Sequence, residues 1–326
     1  MNARLALIAA ILMVATGCEK ARAFLQAGQA AGPPRIPPAE ELNLAAHPVI
    51  LFQVFGETND ARMVPLAAIV GGKLKAIQLN PDNWQRFDAQ YLRRGKTYTI
   101  YADGHANGIA DVRQGMWERQ GQTLYTLPGC KALTPIASVH ANAAHIRNDF
   151  TLELLASNGV LGVSRPPQPM APDEIAKIAR AVAAQVAGSA GIKPKLLDSL
   201  DFHAVAFPSG ASHGNTIVAS FIDPSAENAS STSARTTHLL IVADRDSAGA
   251  WHGTFAHKIN GPLAAAQFRR YYDHLDLTGD GVDEIILEGW QFGGDTFLSI
   301  LGWKDGKWSE VYRTRPNWCL DERPAR

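Results

Sequence analysis

Short apolar segments rich in β-branched and aromatic side chains follow one another through the first half of the chain, and several alternate with polar positions. They are residues 49–55, 66–70, 73–77, 96–101, 109–112, 123–127 and 150–155. Several short strands at a spacing of about ten residues are typical of a β-sandwich or barrel. We therefore predict a β-rich domain over residues 47–163.

A helical period begins only after the proline-rich stretch at residues 164–169. Apolar residues then recur three and four positions apart: Ile175, Ile178, Ala179, Val182 and Val186. Pro172 suits the first position of a helix, and Asp173 and Glu174 lie at its positive end. The spacing predicts one helix over residues 172–187 whose apolar stripe packs on a core, at the start of a second domain.

The C-terminal part of the chain repeats one order of elements: strand, loop, strand, strand, turn, tryptophan and strand. The first copy runs from residue 200 past Trp251, and the second from residue 272 past Trp308. Such self-similarity indicates tandem β-meander units. Two units are too few to close a propeller, so we expect a small sheet under the helix. The predicted fold class is mainly β (α+β), with a barrel or sandwich first and then one helix packed on tandem β-meander units over residues 170–326.

A helical turn or two is also predicted between the third and fourth apolar segments of the first domain. Trp84, Phe87 and Tyr91 are spaced three and four residues apart there. We interpret them as the buried side of that turn. A sugar-stacking aromatic face is the alternative.

The first residues have the layout of a secretory signal, because Arg4 precedes an apolar run at residues 5–15 that is too short to span a bilayer. The run ends in the sequence VATGC at residues 14–18, which resembles the lipobox of bacterial lipoproteins. The resemblance implies removal of residues 1–17 and lipidation of Cys18. Glu19 then implies sorting to the outer membrane of a Gram-negative cell. The alternative is cleavage after the sequence ARA, which ends at Ala23 and would release a soluble periplasmic protein.

Residues 18–46 are rich in Ala, Gly, Gln and Pro and show no apolar periodicity. Such a composition does not build a core, and the prolines favour an extended spacer. We predict a tether that lets a folded body stand off from the membrane surface.

The charge balance excludes one class of partner. The chain has 31 basic and 31 acidic residues, so it lacks the electrostatic footprint of a nucleic-acid-binding protein. The sequence also contains no GxGxxG, Walker or HExxH motif. We expect neither nucleic acid nor nucleotide as a partner.

Two cysteines remain besides Cys18, namely Cys130 and Cys319. An even pair in an oxidising envelope compartment predicts a disulfide between them. Two unrelated free thiols are the alternative.

The densest group of acidic residues is DLTGDGVDE at residues 276–284, between two predicted strands. The candidate metal ligands are the side chains of Asp276, Thr278, Asp280 and Glu284 and the carbonyl of Val282. A donor set made only of oxygen suits a hard cation, and calcium tolerates irregular geometry better than magnesium. An EF-hand is excluded because the twelfth position is Leu287 and a strand follows the loop.

The loop is similar to the calcium loops of FG-GAP/VCBS-type β repeats, in which the pattern D-x-[DN]-x-D-G-x-x-[DE] precedes an apolar strand. The resemblance implies a structural calcium ion held by the ligands just named, with Asp283 as a neighbouring acidic residue. Thr278 departs from the pattern, because a hydroxyl replaces a carboxylate. Two alternatives stay open: a bare turn, where Asp and Gly are common, and a cluster of catalytic carboxylates.

A second motif, GASHG at residues 210–214, matches the G-x-S-x-G nucleophile elbow of α/β-hydrolases. The elbow requires a strand that runs into Ser212 and a helix that leaves it, but Pro208 interrupts the approach and strand-forming residues follow. In the repeat the segment occupies the place of the acidic loop, so a degenerate loop also explains its glycines. Candidate partners of Ser212 are Asp244 or Asp246, with His252, His257 or His274.

Because no catalytic group of residues is complete, we expect a non-catalytic cell-envelope lipoprotein with a structural calcium loop. Its lipid anchor would hold it to the membrane, and its β-rich body would bind another envelope protein or a glycan. A secreted serine hydrolase or esterase that uses Ser212 is the alternative.

Overall fold

The structure is a computed structural model that describes residues 43–57, 60–77, 79, 83–115, 136–143, 152–162, 165–166, 168–189, 191–212, 214–226, 234–292 and 296–314. The predicted signal, most of the predicted tether, the predicted strand at 123–127 and all three cysteines lie outside these residues. All the described residues belong to one compact unit. No helix among them has both the length and the apolar character needed to cross a membrane.

Six of the first seven strands close into an antiparallel barrel. The strands are β1 (Val49–Glu57), β2 (Asp60–Val70), β3 (Lys73–Lys75), β4 (Thr97–Ala102), β5 (His105–Gln114), β6 (Ala137–Ala143) and β7 (Leu152–Ser157). Their order is β1-β7-β4-β5-β6-β2, and pairing of β2 with β1 completes the ring, while β3 is attached to β2. Closure leaves the six strands without a free edge. The prediction of a barrel or sandwich is confirmed, and the structure is a barrel.

Strand β1 is buried on both faces, which explains its unbroken apolar sequence. Ile50, Phe52 and Val54 belong to the barrel core, whereas Leu51 belongs to a second core. Successive side chains of a strand point to opposite faces. The outer face of β1 must therefore be covered by another layer of the protein.

The last residues of the predicted tether belong to the folded body. Leu44–Ala46 form a 3-10 turn, and Leu44 is buried in the barrel core. The body therefore begins a few residues before the predicted boundary. The reason is that Leu44, an apolar residue in a stretch of mostly small and polar residues, packs in the barrel core.

A short helix closes one end of the barrel. It consists of α1 (Trp84–Phe87) and a π-helical turn (Asp88–Leu92). Phe87 and Tyr91 are at most 2 % exposed, and their ring centroids lie 4.9 Å apart within the barrel core. The predicted buried side is confirmed for Phe87 and Tyr91, whose rings lie inside a core and cannot stack on a sugar, whereas Trp84 is half-buried and packs against that core.

After α2 (Pro172–Ser189), the chain forms two four-stranded antiparallel meanders. The first meander contains β8 (Asp201–Phe207), β9 (Thr216–Ile222), β10 (Arg235–Arg245) and β11 (Trp251–Pro262). The second contains β12 (Gln267–Leu275), β13 (Glu284–Gln291), β14 (Thr296–Lys304) and β15 (Lys307–Arg313). Each has its strands in chain order. The predicted tandem repeat of meander units is therefore present.

The elements stack in the order helix, first meander, second meander and barrel. Helix α2 packs on one face of the first meander, and Val182 of the helix shares a core with Phe221 and Ile241 of the sheet. The other face of the first meander packs on the second through a core that contains Leu240 and Leu287. The remaining face of the second meander packs on the outer wall of the barrel through the third core. The second meander is therefore the layer that covers the outer face of β1.

Candidate functional site

The acidic loop connects β12 to β13 at the point where the second meander faces both of its neighbours. Asp276 is 3 % exposed, and its two carboxylate oxygens accept the backbone N–H groups of Gly279 at 2.7 Å and Gly281 at 3.1 Å. This arrangement folds the loop back over its first residue. Asp276 is therefore held by the loop that it organises.

Glu284 closes the loop from the other end. It is 4 % exposed, and it accepts hydrogen bonds from the N–H of Leu277 at 2.8 Å and from the hydroxyl of Thr278 at 3.1 Å. Burial, helped by the nearby charges of Asp280 and Asp276, raises the pKa of Glu284 to about 7. An ionised Glu284 is thus disfavoured in the absence of a neutralising charge.

The structure brings Asp276, Thr278 and Glu284 together but leaves Asp280 at the exposed tip of the loop. The carboxylate of Asp280 accepts the N–H of Val282 at 2.9 Å, and the side chain of Val282 packs into the core between the meanders. Within the part of the chain that the structure describes, no group of three or more His, Cys, Asp or Glu side chains is placed to hold a metal ion.

The oxygen donors of the loop nevertheless suit a hard cation. Neither Asp276 nor Glu284 forms an ion pair with any described residue, although both are buried. Each of their oxygens that accepts one hydrogen bond keeps a second lone pair. The donor set therefore fits calcium chemically, with Asp280 as the ligand that has to turn inward.

Asp283 differs from the other acidic residues of the loop because it has a cationic partner. Its carboxylate pairs with the guanidinium of Arg165, which also donates to the carbonyl of Gly281. The N–H of Asp283 donates to the carbonyl of Ser209 at 2.8 Å. Arg165 belongs to the segment between the barrel and α2, so the acidic loop is tied to that segment and to the first meander.

A pocket of about 360 Å³ opens beside this ion pair. It is lined by residues 103–105 of the β4–β5 turn, by Arg165 and two further residues before α2, by residues 205–208 at the end of β8, and by Tyr271, His274 and Asp283. The barrel, the connecting segment and both meanders thus all contribute to one cavity, which we call the junction pocket. Convergent polar groups in a well-formed cavity mark the default candidate for a binding site.

His274 forms part of the floor of the junction pocket. Its Nδ1 atom shares a hydrogen bond of 2.6 Å with the hydroxyl of Tyr271, and the ring of Phe207 stacks on the imidazole with centroids 3.8 Å apart. Nε2 lies 3.9 Å from the carboxylate of Asp283. Burial lowers the pKa of His274 to about 3, so the ring is neutral at physiological pH.

The β4–β5 turn packs directly on this histidine. The N–H of Gly104 donates to the carboxylate of Asp273 at 3.2 Å. Burial, helped by the charge of Asp103, raises the pKa of Asp273 to about 7. The turn therefore positions His274 sterically and changes the ionisation of its neighbour.

Ser212 lies in the loop between two antiparallel strands, β8 and β9, and no helix follows it. Its hydroxyl lies 3.4 Å from a carboxylate oxygen of Asp244, at the long limit of a hydrogen bond. The setting that a nucleophile elbow requires, a strand followed by a turn and a helix, is therefore missing.

The histidines considered as partners of Ser212 are bonded elsewhere. His252 contacts Asp246 at 2.7 Å, and His257 contacts the carbonyl of Gln267 at 2.7 Å. His274 is bonded to Tyr271, as described above. The structure does not assemble a serine, a histidine and a carboxylate from the predicted residues.

Sequence reasoning missed Arg165 and Tyr271, and it considered His274 only as a partner of the serine. An arginine within a proline-rich stretch gives no signal for an ion pair with a residue 118 positions away. The spacing of Tyr271 and His274 on β12 is also uninformative, because a register shift between residues 271 and 273 brings them together.

The predicted lipidation at Cys18 and the predicted disulfide between Cys130 and Cys319 lie outside the described residues and stay predictions. Comparison of the chain with protein-family models, with curated proteins and with solved structures finds no match. The likeness of the acidic loop to FG-GAP/VCBS repeats also stays a prediction.

Proposed function

We propose that the protein is a non-catalytic lipoprotein of the cell envelope whose folded body binds a polar ligand, a glycan or a segment of another envelope protein, in the junction pocket. The observation that supports this most is the convergence of four separate parts of the chain on one cavity. Its floor is built from buried side chains that already have hydrogen-bond partners, as in a preformed binding site.

The charges of the junction pocket narrow the ligand class. Asp103 and Asp283 supply two carboxylates, and Arg165 supplies one positive charge that is already paired with Asp283. His274 is neutral. The unpaired charge at the rim is therefore negative, which favours a ligand that is neutral or positively charged.

A binding role agrees better with the arrangement of Ser212 than the hydrolase alternative does. A serine nucleophile needs a base that can accept its proton, and the carboxylate nearest to Ser212 also accepts hydrogen bonds from Thr216 and Thr254 at 2.5 Å each. A fluorophosphonate probe should leave the protein unlabelled. Labelling that disappears in Ser212→Ala would restore the hydrolase reading.

The lipoprotein part of the proposal rests on the lipobox at Cys18 and on the composition of the segment that follows. Membrane and soluble envelope fractions of cells that express the full chain test it. Cys18→Ser should move the protein to the soluble fraction, and Cys130→Ser, which removes a cysteine outside the lipobox, should leave it with the membrane. A Cys18→Ser protein that stays with the membrane contradicts the anchor.

We also propose a structural calcium ion in the acidic loop, held by Asp276, Thr278, Asp280, Glu284 and the carbonyl of Val282. The support is the burial of Asp276 and Glu284 without a cationic partner among the described residues. A divalent cation would offset the repulsion that raises the pKa of Glu284. Its role would be to hold the loop, and with it the Asp283–Arg165 pair at the pocket.

Titration calorimetry of the full chain with calcium tests this second proposal. The parent and Asp305→Ala, which alters an exposed turn on the same sheet, should release or take up heat with the same affinity. Asp280→Ala should bind at least tenfold more weakly. A parent protein that gives no heat of binding removes the calcium site and leaves the binding function untouched.

A further inference from the structure

A second cleft, of about 530 Å³, lies at the opposite end of β4 from the junction pocket. We call it the barrel-end cleft. The residues that line it include His47 just before β1, Arg86 and Gln90 on the closing helix, and Lys96 just before β4. Since β4 has six residues, the two cavities lie roughly 20 Å apart.

The lining of the barrel-end cleft carries positive charge only. Arg86 and Lys96 are exposed, and neither forms an ion pair with a described residue. No aspartate or glutamate is among the lining residues. The junction pocket, by contrast, has carboxylates at its rim, so the two cavities suit ligands of opposite charge.

A chain of hydrogen bonds fixes the tautomer of His47. The hydroxyl of Tyr91 donates to the carbonyl of Pro48 at 3.0 Å, so its oxygen is left to accept from the amide of Gln90 at 3.0 Å. The same Gln90 nitrogen lies 2.7 Å from Nδ1 of His47. An amide NH₂ can only donate, so Nδ1 accepts and the ring proton of His47 is on Nε2, as a further donor.

The backbone of His47 has an uncommon conformation. Its φ of 47° and ψ of 54° place it in the left-handed region, which a residue other than glycine seldom adopts, and its N–H caps the preceding 3-10 turn. Strained residues of this kind are concentrated at functional sites. The conformation holds the imidazole against Gln90 at the edge of the cleft.

Hydrogen bonds hold the wall of the cleft together. Tyr98 donates to the carbonyl of Tyr91, and Asn158 accepts the N–H of Ile50 at 2.6 Å and donates to Pro48 at 3.3 Å. These bonds join the ends of β1, β4 and β7 to the closing helix. The preformed cavity is thus lined by three hydrogen-bond donors: Arg86, Lys96 and His47.

We infer that the barrel-end cleft is a binding site for an anionic group, a phosphate or a carboxylate, that is bound by Arg86, Lys96 and Nε2–H of His47. Charge-assisted hydrogen bonds from arginine and lysine are among the strongest that a protein offers to such groups. The inference does not depend on the proposed function of the junction pocket. The anion could belong to a free solute or to a lipid headgroup at the membrane to which the chain is predicted to be anchored.

Calorimetry with inorganic phosphate, and flotation with vesicles of phosphatidylglycerol or of phosphatidylcholine, test the inference on the full-length chain carrying Cys18→Ser. The double variant Arg86→Gln/Lys96→Gln should lose at least tenfold in affinity for phosphate, or for the phosphatidylglycerol vesicles if the source is a headgroup. The control Lys304→Gln/Lys307→Gln removes the same charge from an exposed turn of the second meander and should bind like the parent.

Variants at His47 separate specific binding from a general effect of charge. His47→Asn keeps a residue that tolerates the left-handed backbone but removes the Nε2 donor, and it should weaken binding severalfold with an unchanged melting temperature. The inference is overturned if the parent binds neither phosphate nor anionic vesicles, or if the two double variants lose affinity equally.

Discussion

The indole nitrogen of Trp308 donates a hydrogen bond of 2.8 Å to the carboxylate of Asp244, across the interface between the two meanders. Asp244 is 2 % exposed, and the hydroxyls of Thr216 and Thr254 donate to it from its own sheet. A buried carboxylate without a cationic partner is tolerated only when several donors stabilise it. Trp308 of the second meander therefore supplies one of the hydrogen-bond donors that stabilise the buried carboxylate of Asp244 in the first meander.

Trp308→Phe should destabilise the protein by about 2 kcal/mol, because it removes a donor to a buried charge as well as part of a buried ring. Trp303→Phe is the control, since Trp303 is half-buried and packs against Trp308 at 5.3 Å between ring centroids. Its effect should be less than about 1 kcal/mol. Urea unfolding measures both, and equal losses would show that the hydrogen bond to Asp244 contributes nothing beyond packing.

Glu284→Gln should make the calcium-free protein more stable at alkaline pH and leave it unchanged at acidic pH. The pKa of Glu284 is raised from 4.5 to about 7 in the folded state, so the folded state binds this proton more tightly than the unfolded state does. The resulting stabilisation is complete below pH 4.5 and is lost as the pH rises through 7. The glutamine removes the cost of burying the charge, roughly 1–3 kcal/mol.

Unfolding in chelator at pH 4.5, 6 and 8 checks this prediction, with Glu57→Gln, at the exposed end of β1, as the control. The difference between Glu284→Gln and the parent should grow with pH, and Glu57→Gln should show no such trend. A difference that is the same at all three values would contradict the assigned ionisation of Glu284. The buried histidines cancel from the comparison because all three proteins contain them.

Gly104→Ala should cost about 2 kcal/mol more than Gly306→Ala. Both glycines have a φ of 78° in two-residue hairpin turns, so the backbone strain of an alanine is the same at both. A Cβ at Gly306 meets no atom within 4 Å, whereas a Cβ at Gly104 would overlap Nε2 of His274 and lie 2.8 Å from its Cδ2. Thermal unfolding compares them. Equal losses would mean that His274 is free to move away from the turn.

Asp103→Asn should lower the pKa of Asp273, because it removes a like charge that raises it. Asp305→Asn is a matched control, since Asp103 and Asp305 have φ of 50° and 52° at the same position of two such turns. A carboxyl-carbon NMR titration should show a lower pKa of Asp273 for the first variant only. An identical titration curve for Asp273 in both variants would show that the charge of Asp103 does not affect the pKa of Asp273.

Local patterns in the sequence predict the elements of this fold well. The predicted strand that follows the Gly-rich loop of the first copy corresponds to β9, where Ile217 and Phe221 face the helix and Val218 faces the second meander. The apolar stripe from Ile175 to Val186 corresponds to α2. Both cases follow from the period of the backbone, which needs no knowledge of distant residues.

The barrel and the candidate site depend on pairings that no local pattern contains. Strand β7 inserts between β1 and β4, and β2 pairs with β6, although the partners in each of these pairs are far apart along the chain. The junction pocket requires these pairings, because they bring the turn at Gly104 onto His274 of the second meander. The residues that line such a site can be named only once the fold shows which distant segments meet.

The central claim is that the junction pocket is the binding site of the body, and NMR of the imidazole of His274 tests it most directly. Labelled protein is titrated with a panel of neutral and basic oligosaccharides and short peptides. We predict that at least one member shifts the His274 resonances in the parent and in Asp305→Asn, and does so with lower affinity in Asp103→Asn. If no member of the panel shifts them, or if Asp103→Asn binds like the parent, the claim is contradicted.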